Sequence, residues 1–163
     1  MRIRLQAYVV CLTVVVVVSC STTEPGVQHI SDGGLDNRLS WETVHATIAE
    51  GSALLNSPDG LEPSQVRQKL TGLKPNTNYR LSVKVRALNT PTAQLSIDLF
   101  VDESYDSPEQ ELIVQPSEIE PIYRTYHRTI NSGEFEEQPY LRAFTFSTVP
   151  VEVDEIGIVE VQE

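Results

Sequence analysis

Apolar and polar residues alternate with a period of two from about residue 39 onward. The alternation is clearest over 79–87, where apolar side chains take turns with Arg, Ser, Lys and Arg. Such a pattern is typical of a strand with one buried face. The same pattern predicts further strands at 53–56, 66–70, 94–101, 111–115, 122–130, 141–147 and 151–161, the last with a bend at Gly157.

Turn-forming residues separate these strands, and no stretch shows a helical period. The segments 58–60, 74–76 and 132–133 read Pro-Asp-Gly, Lys-Pro-Asn and Ser-Gly, which suit chain reversals. Short strands at this spacing in about 120 residues are typical of a sandwich or jelly roll. The predicted fold class is therefore all-β, a single antiparallel β-sandwich of jelly-roll type over 39–163.

A charged and then strongly apolar segment precedes this domain. Arg2 and Arg4 are followed by an uncharged run over 7–18 that ends in five valines. These are the two regions of a secretory signal, and the run is shorter than the about 20 residues a membrane span needs. We expect residues 1–19 to be cleaved.

The end of the apolar run, Val17-Val18-Ser19-Cys20, resembles the lipobox of bacterial lipoproteins. The resemblance implies that Cys20 becomes the first mature residue and carries acyl chains, palmitate among them, which insert into membrane lipid. It also implies a cell-envelope location, and Ser21 in place of Asp implies the outer membrane. An ordinary secretory signal with a chance cysteine is the alternative. Residues 20–38, rich in small and polar types, are predicted to be the lipidated N-terminus and a flexible tether.

Charge and cysteine content narrow the functional classes. The 163 residues include 12 basic and 23 acidic side chains, a formal net charge of -11; removal of Arg2 and Arg4 leaves 10 against 23, or -13. A protein this acidic lacks the basic surplus that nucleic-acid binding needs, and it should be repelled by anionic membrane surfaces. Only Cys11 and Cys20 are present, so no disulfide is expected in the mature domain.

The sequence segment 66–87 resembles motifs of two protein families. Leu73, Pro75, Thr77 and Tyr79 resemble the corner of fibronectin type III domains, in which the Tyr hydroxyl bonds to upstream backbone. A fibronectin type III domain ends soon after this corner, whereas 76 residues follow Ala87 in this chain.

The segment also resembles a motif in the middle of carbohydrate-binding jelly rolls of the galactose-binding-like superfamily. These are the cellulose- and xylan-binding modules. Segments 51–55, 95–100, 123–126 and 153–156 resemble their other strands, so the resemblance covers 41–161. It implies a non-catalytic protein that binds polysaccharide, and the lipobox resemblance implies that this protein is lipid-anchored. A structural or assembly lipoprotein that binds an envelope protein, and a fibronectin type III-like adhesion domain, are the alternatives.

Sugar binding uses aromatic rings and planar polar side chains on an open surface. On the strand predicted at 122–130, Arg124, Tyr126 and Arg128 share one side because successive side chains alternate. With Arg67 and Lys69 they are the candidate glycan-binding residues. Arg67 and Lys69, together with the basic side chains at 80, 84 and 86, make a candidate basic patch, and a solvated face with ordinary ion pairs is the alternative. The lone Trp41 is predicted to be core.

The family resemblance also implies one possible structural calcium. Asp154 matches the family's ligand on the closing strand, and Asp32 or Asp36 near a Gly-Gly turn could supply further oxygens. A solvated carboxylate is the alternative, and no other cofactor is expected. No nucleophile elbow, phosphate loop or paired-His motif is present in the sequence, so neither catalytic residues nor enzymatic activity are predicted.

Overall fold

A computed structural model describes residue 30, residues 33–100 and residues 111–161. A short 3-10 helix, Arg38–Ser40, precedes ten strands. The strands are β1 Glu42–Val44, β2 Ala46–Ala49, β3 Ser52–Leu55, β4 Ser64–Lys69, β5 Asn78–Arg86, β6 Leu95–Phe100, β7 Glu111–Val114, β8 Arg124–Asn131, β9 Tyr140–Thr145 and β10 Val151–Glu160. Over these described ranges, no helix has the length and apolar character needed to cross a bilayer.

The strands form two five-stranded antiparallel sheets. The front sheet has the order β1-β4-β9-β6-β7, and the back sheet has the order β2-β3-β10-β5-β8. This confirms the predicted all-β jelly-roll sandwich. Because β9 and β10 occupy the middle of their sheets, the domain does not close near residue 110, as the fibronectin type III alternative would require.

All eight predicted strands are present, and two short ones, β1 and β2, were not predicted. Every side chain of β1 is exposed, so it carries no alternation to detect. A two-residue turn joins β2 to β3, with positive φ at Glu50 (53°) and Gly51 (77°), the geometry of a type I′ hairpin. His45, also with positive φ (49°), turns the chain from the front sheet into the back sheet.

The core lies between the sheets and extends further toward the N-terminus than expected. Alternate residues of β5 and β9 are fully buried, and Trp41 is buried as predicted. Ile30 and Leu35 also belong to the core, and the Ile156 N–H donates to the Gly33 carbonyl at 2.8 Å. The packed region therefore begins before Leu39, inside the segment assigned to the tether.

Two local features of the back sheet follow from the sequence. The buried Tyr79 hydroxyl accepts a hydrogen bond from the Lys74 N–H at 2.9 Å, which is the corner that the resemblance implied. The irregularity in β10 is a register shift between Val153 and Ile156, where one extra residue is inserted. The bend predicted at Gly157 is therefore wrong, and Gly157 stays paired with β5.

Candidate functional site

The five side chains predicted to bind glycan lie in two separate places. Arg67 and Lys69 are on β4, on the outer side of the front sheet. The other three are on β8, the edge strand of the back sheet. They share a side with the buried Ile130, so that side faces the front sheet.

The three β8 side chains close the open edge of the sandwich. Tyr126 packs against the core, and its hydroxyl donates to the Glu118 carbonyl. Arg128 Nη1 donates to the Glu111 carbonyl on the front sheet's edge strand at 2.7 Å, and Arg124 forms an ion pair four residues back in the chain. Alternation with a period of two shows which residues of a strand share a side, but it does not show which side faces the core. The candidate residues on β4 therefore point outward, whereas those on β8 point toward the front sheet.

Asp154 and Asp36, two of the three carboxylates proposed as calcium ligands, do not form a calcium site with their described neighbours. Asp154 is paired with the Lys84 ammonium at 2.6 Å, and a fixed positive charge there opposes a divalent cation. Asp36 lies beside the β2–β3 turn, where a Cβ added to Gly51 would be 3.1 Å from its Oδ1. Asp32 lies outside the described residues, and within them no three His, Cys, Asp or Glu side chains could hold a metal ion.

The outer side of the back sheet carries a closed polar network. Glu152 accepts hydrogen bonds from Arg86 at 2.8 Å and from the Tyr123 hydroxyl at 2.6 Å. The Arg86 hydrogen bond lowers the pKa of Glu152, while burial raises the pKa of Tyr123 to about 12. The Arg86 guanidinium lies 4.4 Å from the Tyr123 ring centroid.

The basic patch predicted from β4 and β5 does not exist as one surface. Its members project from opposite sides of the sandwich, Arg67 and Lys69 from the front sheet and three from the back sheet. Lys84 and Arg86 are neutralised by β10 carboxylates. The alternative, a solvated face with ordinary ion pairs, describes this side of the back sheet.

The outer side of the front sheet, here called the front face, is built around β9. Leu141 and Ala143 point into the core and are fully buried, so Tyr140, Arg142 and Phe144 point outward, each half-buried. At about 3.4 Å per residue, the two aromatic positions are about 14 Å apart with an arginine between them. Aromatic and planar polar groups therefore alternate along the middle strand of an open face.

A row of charged residues crosses the front face at the arginine. Glu42, Arg67, Arg142 and Asp98 stand in register on four neighbouring strands. Arg67 Nε donates to Glu42 Oε2 at 2.7 Å. Arg142 donates to both oxygens of Asp98, with Nε–Oδ1 at 3.0 Å and Nη2–Oδ2 at 2.5 Å. Arg67 and Arg142 are neighbours across the β4–β9 pair, and each forms an ion pair with a carboxylate on the strand at its other side.

Cations also lie against both rings of the front face. The Arg142 Cζ is 4.3 Å from the Phe144 ring centroid. The Arg67 Cζ is 5.1 Å, and the Lys69 Nζ 6.0 Å, from the Tyr140 ring centroid. Such cation–π contacts orient the rings. The ion pairs hold the arginines, so the aromatic positions are organised before any ligand arrives.

Sequence reasoning missed the β9 residues that form this face. The strand predicted at 141–147 contained the signal, because aromatic and basic residues occupy the even positions and Leu, Ala and Thr the odd ones. Phe146, just after β9, continues the series and meets Phe144 edge-on with centroids 6.2 Å apart. What the sequence could not show is that β9 lies in the middle of a sheet, with no described strand packed on its outer side.

Comparison with known proteins finds this architecture in carbohydrate-binding domains. No protein-family model matches the chain, and no curated protein matches it in sequence. The second N-terminal cellulose-binding domain of Cellulomonas fimi β-1,4-glucanase C superposes with a TM-score of 0.60 at 11% identity, covering 85% of this chain and 97% of that domain. The CBM22-1 xylan-binding domain of Paenibacillus barcinonensis Xyn10C gives 0.51 at 16% identity, covering 85% and 97%.

A longer protein shares the fold as well. The enzymatically active domain of bacteriophage CBA120 tailspike protein 4 superposes with a TM-score of 0.55 at 13% identity, covering 82% of this chain. This chain spans 21% of that one. At these identities the comparisons establish a shared jelly-roll fold, and the function has to be argued from the front face.

Proposed function

We propose that this protein is a non-catalytic carbohydrate-binding protein of the bacterial cell envelope, with the front face as its binding surface. The observation that carries the proposal is the sequence of groups along β9: an aromatic ring, a guanidinium and a second ring, on the outer side of the front sheet. Rings cover the apolar C–H faces of sugar units, while polar side chains fix their hydroxyls. The likeness to domains named for cellulose and xylan binding supports this assignment.

The charge of the front face favours a hydroxyl-rich and mostly neutral glycan. Its three cations are matched in number by three carboxylates: Arg67, Lys69 and Arg142 against Glu42, Asp98 and Glu111. The paired guanidiniums and carboxylates can donate and accept hydrogen bonds with neighbouring hydroxyls. The remaining protein is acidic, with -13 after removal of the signal, and repels densely charged polyanions.

The location follows from the N-terminal sequence. Acyl chains on Cys20 hold the protein to membrane lipid. Ser21, in place of Asp, assigns the protein to the outer membrane. Cys20 and the cleaved segment 1–19 lie outside the described residues. The lipobox resemblance supports this part of the proposal, and binding a glycan close to the membrane is its functional consequence.

Affinity electrophoresis of the full-length protein in non-ionic detergent tests the proposal. Gels contain neutral polysaccharides such as xylan, soluble cellulose derivatives or mixed-linkage glucan. We expect at least one to retard the protein and Phe144→Ala to weaken that binding about tenfold. Covering about 50 Å² of ring at about 25 cal/mol per Å² contributes about 1.3 kcal/mol, close to one decade in affinity.

Tyr123→Ala is the matched control, because it removes an aromatic ring from the outer side of the back sheet. It should leave retardation unchanged once thermal unfolding shows that the variant is folded. The proposal is wrong if no polysaccharide retards the protein, or if Phe144→Ala and Tyr123→Ala behave alike.

One observation favours a second function, the binding of an envelope protein. Four connections, β3–β4, β5–β6, β7–β8 and β9–β10, cross between the sheets at the same end of the sandwich. Each exposes a large apolar side chain: Leu61 (81% exposed), Leu88 (77%), Ile122 (63%) and Phe146 (40%). Several large apolar side chains exposed at one end of a domain are compatible with a protein contact site there.

Crosslinking in intact cells distinguishes the two functions. If the loop end binds a protein, the full-length chain should form a discrete adduct that Leu61→Ser combined with Leu88→Ser abolishes. Leu39→Ser is the control, because Leu39 is 88% exposed next to β1 at the opposite end. Persistence of the adduct in the double variant would exclude this second function for the loop end.

A further inference from the structure

The front face is not uniform in charge along β9. Lys69 pairs in register with Tyr140 at one end of the strand, and its ammonium is 6.0 Å from the ring centroid. Arg67 and Arg142 each form an ion pair with a carboxylate of the face. Within the part of the chain that the structure describes, the Lys69 ammonium forms no ion pair.

The opposite end of the face is neutral. Phe144 stands in register with Gln65 on one side and Ser96 on the other, neither of which carries a charge. Phe146 extends the apolar surface beyond the strand. The nearest cation, Arg142, is tied to both oxygens of Asp98. A ligand lying along β9 therefore meets a cationic end at Tyr140 and an uncharged end at Phe144.

This gradient distinguishes sparsely charged ligands from densely charged ones. A single carboxylate beside Tyr140 would lie near both the Lys69 ammonium and the Arg67 guanidinium, where local attraction acts over a few ångströms. Further carboxylates along the same chain would meet the Glu42 and Asp98 carboxylates and the field of an acidic domain.

Resting on the proposed function, we propose that the front face selects a mostly neutral glycan that carries an isolated acidic sugar. The acidic unit stacks on Tyr140 with its carboxylate at Lys69, and neutral units extend toward Phe144. Lys69 is then the residue that determines specificity, while Phe144 contributes affinity for any glycan the face accepts.

Calorimetric titration of the full-length protein in non-ionic detergent tests this assignment with a matched pair of ligands. The pair is a glucuronoxylan and the same polymer after chemical reduction of its carboxyl groups. One exposed ion pair is worth about 0.2–1 kcal/mol, so we expect about 1.4- to fivefold tighter binding of the acidic form at low salt. The preference should vanish at about 1 M salt, where the screening length is about 3 Å.

Lys69→Gln should remove the preference by weakening binding of the acidic polymer more than binding of the reduced one, and Lys69→Arg should retain the preference. Arg80→Gln is the control, since it removes an exposed cation from the outer side of the back sheet. It should change neither affinity.

Equal binding of the two polymers, or equal weakening of both by Lys69→Gln, overturns this inference and leaves the proposed function standing. Tighter binding of a fully uronic polymer such as polygalacturonate also overturns it, because it would show that charge density is not selected against. Binding of neither xylan form, together with no retardation by any neutral glycan, overturns the inference and the proposed function together.

Discussion

Replacing Asp98 by Asn should destabilise the front sheet more than an ordinary surface charge would. Arg142 faces Arg67 directly across the β4–β9 pair, and Asp98 faces Arg142 from the other side. Both members of the Arg142–Asp98 pair are largely shielded, with side chains 20% and 16% exposed. Asn keeps the shape but removes the charge that balances Arg142.

The magnitude follows from two contributions. An exposed ion pair is worth up to about 1 kcal/mol, whereas breaking a fully buried one costs about 3–5 kcal/mol. Like charges at directly facing cross-strand positions destabilise the sheet by up to about 1 kcal/mol. For a pair this shielded, with one guanidinium left beside another, we expect a loss of about 2 kcal/mol.

Urea unfolding followed by the fluorescence of the buried Trp41 measures this loss. A double-mutant cycle separates the two contributions, because Arg67→Gln removes the opposing guanidinium. In that background Asp98→Asn should cost about 1 kcal/mol less. Glu42→Gln is the matched control, since its ion pair with Arg67 is the more exposed one, and it should cost about 0.5 kcal/mol.

The reasoning is refuted if Asp98→Asn costs no more than Glu42→Gln, or if the cycle shows no coupling with Arg67. Either result would mean that solvent screens the row as it screens an ordinary surface. The row would then be no more organised in the free protein than any group of exposed side chains.

The remaining predictions concern other parts of the molecule. Tyr79→Phe should lower the free energy of unfolding by about 1–3 kcal/mol in urea titrations, because the buried hydroxyl that accepts from the Lys74 N–H is lost; an unchanged midpoint would contradict this. The lowered pKa of Glu152 stabilises the folded protein at pH values above the unfolded-state pKa near 4.5, and this stabilisation is lost as the pH falls through the folded-state pKa. The difference in unfolding free energy between wild type and Glu152→Gln should therefore shrink below about pH 4 in acid titrations. Chelators should leave the thermal midpoint unchanged, because Lys84 already neutralises Asp154, and a calcium-dependent rise would show that the ion pair yields to metal. Cys20→Ala should move the protein from the membrane fraction to the soluble fraction and abolish palmitate labelling; an unaltered distribution would refute the lipid anchor.

The fold could be predicted from the sequence because its strands are long enough to alternate. β5 and β10 span nine and ten residues, and one face of each is buried nearly throughout. β1 and β2, with three and four residues, offer no such repeat. Their one local signal was Glu50-Gly51, which suits a two-residue hairpin turn.

The candidate site could be predicted only in part, for a related reason. Arg67 and Lys69 were correctly placed on an outward side because Val66 and Leu70 flank them with buried apolar groups. On β8 both sides carry polar residues, since an edge strand contacts the core with little more than Ile130 and part of Tyr126. Which side faced inward depended on strand order, a long-range property that local alternation does not contain.

The two outer faces of the sandwich contain the same kinds of side chain and differ in their central strands. β10, in the middle of the back sheet, carries four acidic residues that close the face with ion pairs, three of them to Lys84 and Arg86 of β5 and the fourth, Glu160, to Lys74. β9, in the middle of the front sheet, carries none, so the compensating carboxylates come from flanking strands, as Glu42 and Asp98 show. The aromatic rings of β9 therefore stay at the centre of an open face. On the proposed function, the placement of acids in the central strands, rather than their number in the chain, decides which side of this fold accepts a ligand.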